Sequence, residues 1–281
     1  MQLYKKYLRL WKEGIACAGF SPRLPDYAIR YWLDQMEKAL PAQSARSFLD
    51  IGAGDGRLSL LLLQAYSPAG MAIEVQVNKE AWRPITDRFG RFELKDGLLQ
   101  DIFPELAGQK KFDFILLAEV FEHIPPPDVP LFLQQLQGVL ADDGRIFLTT
   151  PNRVVQGPAE QSAVWHEREP YGHHKHYTLQ ELETLLNGVG LEIERVAFEC
   201  HKLKNTLYNK MFYPASRLDA RLLQSKKIPQ AVRAAYRYAS APALAVAKMT
   251  FWSLAQLVYS VEKRWSNEQS AATMMLSIKK G

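Results

Sequence analysis

Carboxylates and imidazoles gather at two places in the chain. Glu119, Glu122 and His123 follow a continuous apolar run, and His166, His173, His174 and His176 come further on. Five of the six histidines fall in these two segments, so acid–base or metal-ligating groups are concentrated rather than scattered. Imidazole ordinarily titrates near neutrality, which suits it to taking a proton from an alcohol at pH 7. On that reading His123 or His173 is the general base, with Glu122 beside it. Carboxylates mixed with imidazoles also suit Mg2+, Mn2+ or Zn2+, and a bound ion would lower the pKa of a hydroxyl. The candidate ligands are Glu119, Glu122, His123 and His173. The alternative is that the Glu-His pair only positions a loop and the histidines bond to backbone or water.

A second constellation is Phe48-Leu49-Asp50-Ile51-Gly52-Ala53-Gly54-Asp55-Gly56-Arg57-Leu58. Glycines at a strand-to-helix turn allow a tight bend and close approach of a ligand to the backbone. Glu74 ends the next apolar stretch, where a carboxylate can accept hydrogen bonds from both hydroxyls of a ribose. A pyrophosphate would be repelled by Asp50 and Asp55, whereas an amino group or a sulfonium would be attracted. The ligand implied is an adenosyl group with a cationic amino-acid tail.

Elements that could position these groups alternate along the chain. Ser47–Ile51, Met71–Val75, Phe112–Ala118, Arg145–Thr150 and Leu191–Glu199 read as strands, and Leu58–Tyr66, Val129–Leu140 and Leu179–Gly188 as helices. Phe112–Ala118 is apolar at every position but Asp113, as expected of a parallel strand buried on both faces. Such alternation predicts a doubly wound α/β sheet, whose ligands sit beyond the carboxyl ends of its strands. Residues 1–45 read as helical, anchored by Tyr4, Tyr7, Leu8, Trp11, Tyr27, Tyr31 and Trp32, with Ser21-Pro22 and Pro25 as breaks. Residues 201–270 break the alternation. Ser240 is the expected N-cap of a helix with Pro242 in its first turn. Leu244, Ala247, Phe251, Leu254, Val258, Val261 and Trp265 then recur at helical spacing. Ala272–Lys279 returns to strand character.

Composition narrows the class. A chain of 281 residues with 47% hydrophobic and 23% charged residues is neither disordered nor collagen-like. Cys17 and Cys200 form no CxxC pair, which excludes a disulfide framework or a cysteine zinc site. Lys5, Lys6 and Arg9 are not followed by an apolar run of export-signal kind. Tyr238–Val261 is weakly charged but interrupted by Pro242 and Lys248, and reads as soluble or interfacial. The expected location is cytoplasmic, with peripheral membrane contact as an extension.

The Asp-x-Gly-x-Gly-x-Gly run, the acidic residue after the second strand and Phe112–Ile124 with its Glu-His-hydrophobic ending resemble the class I S-adenosylmethionine-dependent methyltransferases. Lys95–Asp101 falls where that family contacts adenine, with Asp96 or Asp101 in the acidic role. His173–Thr178 and the helix after it are similar to a segment of the type-11 and type-23 groups. The resemblance covers roughly residues 45–200 and the last strand. It implies a Rossmann-like seven-stranded α/β sheet, with a helical cap over residues 1–45 and a core over 46–200. A basic helical insertion over 201–270 and a final strand over 271–281 complete it. It implies S-adenosylmethionine as cofactor, bound by Asp50, Gly52, Ala53, Gly54, Asp55, Gly56, Glu74 and Glu119. The Glu119-x-x-Glu122-His123 spacing with a later histidine is similar to small-RNA 3′-terminal 2′-O-methyltransferases, and quinone O-methyltransferases carry a related segment.

The expected activity is O-methylation of a small-molecule, glycan or lipid-linked acceptor. The alternatives are metal-dependent methylation of RNA 3′ ends and a silent cofactor-binding scaffold. Residues 1–200 hold 21 Lys+Arg and 27 Asp+Glu, whereas residues 201–281 hold 14 and 3. The acidic body suits a cationic cofactor. The basic remainder, with Tyr208, Phe212, Tyr213, Tyr236 and Tyr238 interleaved, suits an anionic acceptor, RNA or an anionic membrane. A monomer and a homodimer are both compatible with the sequence.

Overall fold

The computed structural model describes residues 2–12, 29–40, 47–66, 69–75, 77, 79–106, 108–159, 172–225 and 227–281. The expectations for Tyr27, Pro22, Pro25 and His166, and for the side chains of Trp11 and Tyr208, lie outside the described residues. Two compact units emerge, one of Met1–Asp34 with Cys200–Ser266 and one of Gln35–Glu199 with Asn267–Gly281.

The second unit is built on a seven-stranded sheet of β1 (Phe48–Ile51), β2 (Gly70–Glu74), β3 (Phe92–Asp96), β4 (Phe112–Ala118), β5 (Leu140–Pro151), β6 (Leu191–His201) and β7 (Ala271–Lys280). Their order is β3-β2-β1-β4-β5-β7-β6. The pairs β1–β2, β1–β4, β2–β3 and β4–β5 are parallel, and β7 runs antiparallel to β5. The α/β expectation holds, and the physical cause is visible in β4. Phe114, Ile115, Leu116 and Leu117 are all fully buried, so both faces of the central strand are covered by other elements. Helix Arg57–Ala65 buries Leu60 to Leu63 against one face.

Elements that the sequence pattern does not signal include β3 and the helices Lys79–Thr86 and Leu99–Leu106. β3 is the edge strand and alternates charged with apolar residues, so it carries no apolar run. The two helices contain Pro84 and Pro104, residues that read as breaks. β5 starts earlier than its apolar run, because Leu140 pairs with Phe112 and the register then shifts before Arg145 pairs with Phe114.

The first unit is helical, with Gln2–Lys12, Lys202–Leu207, Tyr213–Gln224, Gln230–Ala239 and Ala241–Trp265. The amino-terminal helix and the insertion, remote in sequence, fall in one unit because aromatic groups join them. Tyr4 stacks on Trp252 at 6.2 Å, and the Arg30 guanidinium lies 4.2 Å from the Tyr259 ring centre. Ser240 does stand at the start of Ala241–Trp265, but its hydroxyl donates back to the Tyr236 carbonyl at 2.5 Å and caps no amide. Its backbone is already helical there, which turns the side chain toward the preceding turn.

Candidate active site

A cleft of about 410 Å3 opens in the second unit beyond the carboxyl ends of β1, β2 and β4. That volume is within the range of small-molecule sites. Gly52, Glu74, Gly97 to Gln100, Glu119 and His123 line it. Parallel register brings the strand ends together, pairing Ile51 with both Ile73 and Leu117. The following turns are pinned by main-chain bonds. Gly52 donates to the Ile73 carbonyl at 2.9 Å, Gly97 to Glu74 at 3.1 Å and Glu119 to Thr149 at 3.0 Å.

The glycine loop requires glycine for two different reasons. Gly52, Gly54 and Gly56 all have φ between 58° and 76°, a region unfavourable to other residues. Gly56 is also hemmed in: a Cβ there would stand 2.7 Å from the rings and methyl of Trp82 and Ile85. Gly54 has open space around it. Gly56→Ala should therefore cost more stability than Gly54→Ala, because the first adds overpacking, typically about 1–3 kcal/mol, to the backbone strain both share. Chemical denaturation of the two variants checks this, and equal losses would refute the role given to Trp82. The indole supports the loop directly, since its Nε1 donates to the Gly54 carbonyl at 3.2 Å.

Glu74 closes the loop against β2. Its Oε2 accepts from the Gly54 amide at 2.5 Å and its Oε1 from the Val75 amide at 2.9 Å. A carboxylate offers about four lone-pair positions, so two remain toward the cleft for a diol. Asp50 is buried beneath the loop, and its Oδ2 accepts from the Ser59 hydroxyl at 2.6 Å. Burial, reinforced by the charges of Glu74 and Asp55 and opposed by the Ser59 bond, pushes its carboxyl up to about 7. Asp50 thus ties β1 to the following helix and does not line the cleft. Asp55 also turns away. It forms a 3.1 Å ion pair with Arg57, which offsets the charge expected to face a cationic ligand.

Asp96 and Asp101 are exposed and lie outside the cleft wall, which is formed by Gly97, Leu98, Leu99 and Gln100. Asp101 belongs to the first turn of Leu99–Leu106, where helical phase points it to solvent while Ile102 and Phe103 are buried.

Glu119 lines the cleft in a left-handed conformation, φ 54°, the only non-glycine residue so placed among the described residues. Such a residue costs free energy unless its surroundings hold it. Thr149 does so, its Oγ1 accepting from the Glu119 amide at 3.1 Å and donating to Oε1 at 2.8 Å. The protein packed around this carboxyl pushes it up to about 7, with the Thr149 bond opposing and the charge of buried Glu199 adding to the rise. The side chain still faces the cleft, so solvent there screens part of that push.

The turn Phe121–His123 then presents the acid–base cluster. Glu122 is fully buried, and its Oε2 accepts from the Thr150 hydroxyl at 3.0 Å. Its carbonyl accepts from the His174 amide at 2.7 Å, which draws the distant histidine segment onto the turn. His123 and His173 meet edge-to-face at 4.8 Å between ring centres. Ligand atoms of Glu122, His123 and His173 all lie within 4.8 Å of one another. Glu119 stands outside this group, so the four candidate ligands separate into one cleft-wall carboxyl and a cluster of three.

His176, given no role of its own from the sequence, sets the tautomers. Its Nδ1 lies 2.8 Å from the Gly157 carbonyl, which can only accept, so that nitrogen carries the proton. In the neutral imidazole Nε2 then accepts from His173 Nδ1 at 2.7 Å, and Nε2 of a neutral His173 carries the lone pair. Trp82, Ser59, Thr149, Thr150 and His176 are the site residues that sequence reasoning missed. Trp82 acts on the main chain of Gly54 and the others through another side chain, and only the count of histidines hinted at the last.

The residues present fit S-adenosylmethionine. The glycine turn packs tightly at Gly52, where a Cβ would stand 2.4 Å from Val120, and leaves open space at Gly54. Glu74 has acceptor capacity for ribose hydroxyls, and the wall at Leu98 and Leu99 is apolar for a base.

Comparison with known proteins gives concordant likenesses. The model of the methyltransferase-domain family, type 23, matches residues 25–196. The chain is 27% identical over 165 residues to the mitochondrial ubiquinone biosynthesis O-methyltransferase of Bos taurus, covering 54% of this chain and 43% of that protein. It is 22% identical over 203 residues to the ubiquinone biosynthesis O-methyltransferase of Rickettsia felis, covering 70% and 81%. This chain thus spans less than half of the bovine relative's length. Among solved structures, an S-adenosylmethionine-dependent methyltransferase from Archaeoglobus fulgidus superposes with TM-score 0.52 at 14% identity, over 90% of this chain and 93% of that one.

Proposed function

This chain belongs to the type-23 methyltransferase-domain family, and from that membership we propose that its S-adenosylmethionine-dependent transfer delivers the methyl group to an oxygen of a small organic acceptor. One observation carries the reading. His123, backed by buried Glu122 and by His173, lines the same cleft as Gly52 and Glu74. When bound, the cofactor supplies an electrophilic methyl group on a sulfonium. An oxygen acceptor must lose its proton as it attacks, whereas a neutral amine can attack first. A proton acceptor set into the cofactor cleft therefore suits a hydroxyl. The ubiquinone O-methyltransferase relatives support the same acceptor class.

Gly52, Gly54 and Glu74 bind and orient the adenosyl end, and Leu98 and Leu99 exclude water from the base. His123 takes the acceptor's proton, while His173, its tautomer fixed through His176, lies against it. Glu122, His123 and His173 also have the donor set and spacing to hold a divalent cation, which would sharpen acidity of the same hydroxyl. The basic surplus of residues 201–281 supports an anionic acceptor.

Glu74→Ala should weaken S-adenosylmethionine binding by about tenfold or more, since it removes two charge-assisted hydrogen bonds and a loop anchor. Calorimetry reads this directly, and unchanged affinity would remove Glu74 from the cofactor site. A labelled-methyl screen against phenols, other alcohols, amines and RNA tests the acceptor class. Transfer confined to amines or to RNA would overturn the oxygen-of-a-small-molecule reading.

A further inference from the structure

The inserted segment of the first unit carries surface charge of one sign. Residues 201–266 hold twelve Lys+Arg against two acids, Asp219 and Glu262. Both acids are buried. Asp219 accepts from the Tyr236 hydroxyl at 3.0 Å and Glu262 from the Ser266 hydroxyl at 2.9 Å. Lys210, Arg221, Lys227, Arg237, Lys263 and Arg264 are exposed. A cationic surface attracts an anionic partner.

The same segment leaves apolar groups uncovered. On the 25-residue helix Ala241–Trp265, Val246, Met249 and Leu257 are 65%, 73% and 51% exposed. With Ser253 they recur at steps of three and four residues, which puts them on one face. Other positions of the helix are committed within the unit, Phe251 meeting Phe212 at 5.3 Å and Tyr259 lying under Arg30. The helix is long and apolar enough to cross a membrane by length and composition, but these contacts bind it laterally to its own unit. In the preceding helix, Arg233 and Arg237 line a cavity of about 250 Å3, and Arg233 Nε is buried without a hydrogen-bond partner.

We propose that this helical unit docks on the surface of an anionic lipid bilayer. The Val246–Met249–Leu257 stripe lies at the boundary of headgroups and acyl chains, and Arg233 and Arg237 hold lipid phosphate. Charge selects this occupant over a second copy of the chain, whose equally basic face would be repelled. The aliphatic stripe selects it over RNA, to which it offers no stacking surface, while the exposed Tyr238 and Trp265 suit a membrane interface as well as a base.

Co-sedimentation of the full chain with vesicles tests the proposal. Binding is expected to equimolar phosphatidylcholine–phosphatidylglycerol vesicles and not to phosphatidylcholine alone, and to weaken as salt rises. Val246→Glu with Met249→Glu should abolish it. Arg233→Ala with Arg237→Ala should weaken it about thirty-fold, from the usual contribution of a basic residue near an anionic surface. Both double variants should keep wild-type S-adenosylmethionine affinity and wild-type far-UV circular dichroism, which together report that both units are folded. Failure to bind anionic vesicles, or equal binding to neutral ones, overturns the proposal. So does a concentration-dependent dimer that the Glu variants dissolve, because the stripe would then be a subunit seam.

Discussion

His123→Ala is expected to lower kcat by on the order of 10²- to 10⁴-fold while leaving S-adenosylmethionine affinity unchanged. That loss corresponds to roughly 3–5 kcal/mol of barrier. The reason is positional. His123 lines the cofactor cleft and touches the His173 ring, whereas the cofactor-loop bonds run through Gly54, Glu74 and Asp50. The base can therefore be removed without disturbing the cradle. His176→Ala offers a graded companion, because it removes the acceptor that holds His173 Nδ1–H and acts only by freeing a tautomer. Its kcat should fall less, and His176→Gln, which retains an acceptor, should recover part of the loss. Steady-state kinetics with an accepted alcohol measures all three variants. Activity of His123→Ala within a few-fold of wild type would exclude it as the base. Chelation reads the cation separately. If Glu122, His123 and His173 hold one, activity falls on chelation, returns with added Mg2+, Mn2+ or Zn2+, and is lost in Glu122→Gln.

Asp50→Asn is expected to flatten a fall in stability between about pH 4 and pH 7. Folding lifts this carboxyl from its ordinary 3.8 to about 7, and burial is the leading cause. The folded state therefore binds the proton more tightly than the unfolded chain does. Its contribution to stability is fully present below the unfolded value and is lost as pH rises through the folded one. The span corresponds to roughly 4 kcal/mol. Urea denaturation of the ligand-free protein at several pH values, wild type against variant, isolates the effect. Parallel profiles for the two proteins would show that Asp50 does not titrate in that window. The Ser59 hydroxyl at 2.6 Å can still donate to the asparagine carbonyl oxygen, so the variant removes the charge and keeps the tie between strand and helix.

Much of the core was legible because its signals are local. Phe112–Ala118 is apolar at every position but one, and a strand buried on both faces can be nothing else at that length. Gly52, Gly54 and Gly56 announce a left-handed turn, since few other residues tolerate those angles. β3 and the two proline-containing helices were not legible. An edge strand need bury only part of itself, and proline within a helix gives the same local signal as a break.

The sequence by itself determined the α/β class, the glycine turn with Glu74 behind it, and the grouping of carboxylates with histidines, because periodicity and residue chemistry are written locally. Tertiary structure decided which of those groups meet. Asp50 turns to Ser59, Asp55 to Arg57 and Asp101 to solvent, while Glu122, His123 and His173 converge. It also supplied His176 and Trp82 as supports and placed the amino-terminal helix with the distant insertion. The reason is physical: a side chain's partner depends on strand register, helical phase and chain crossover. Each of those is settled only when distant segments pack, and none can be read from the spacing of the residues themselves.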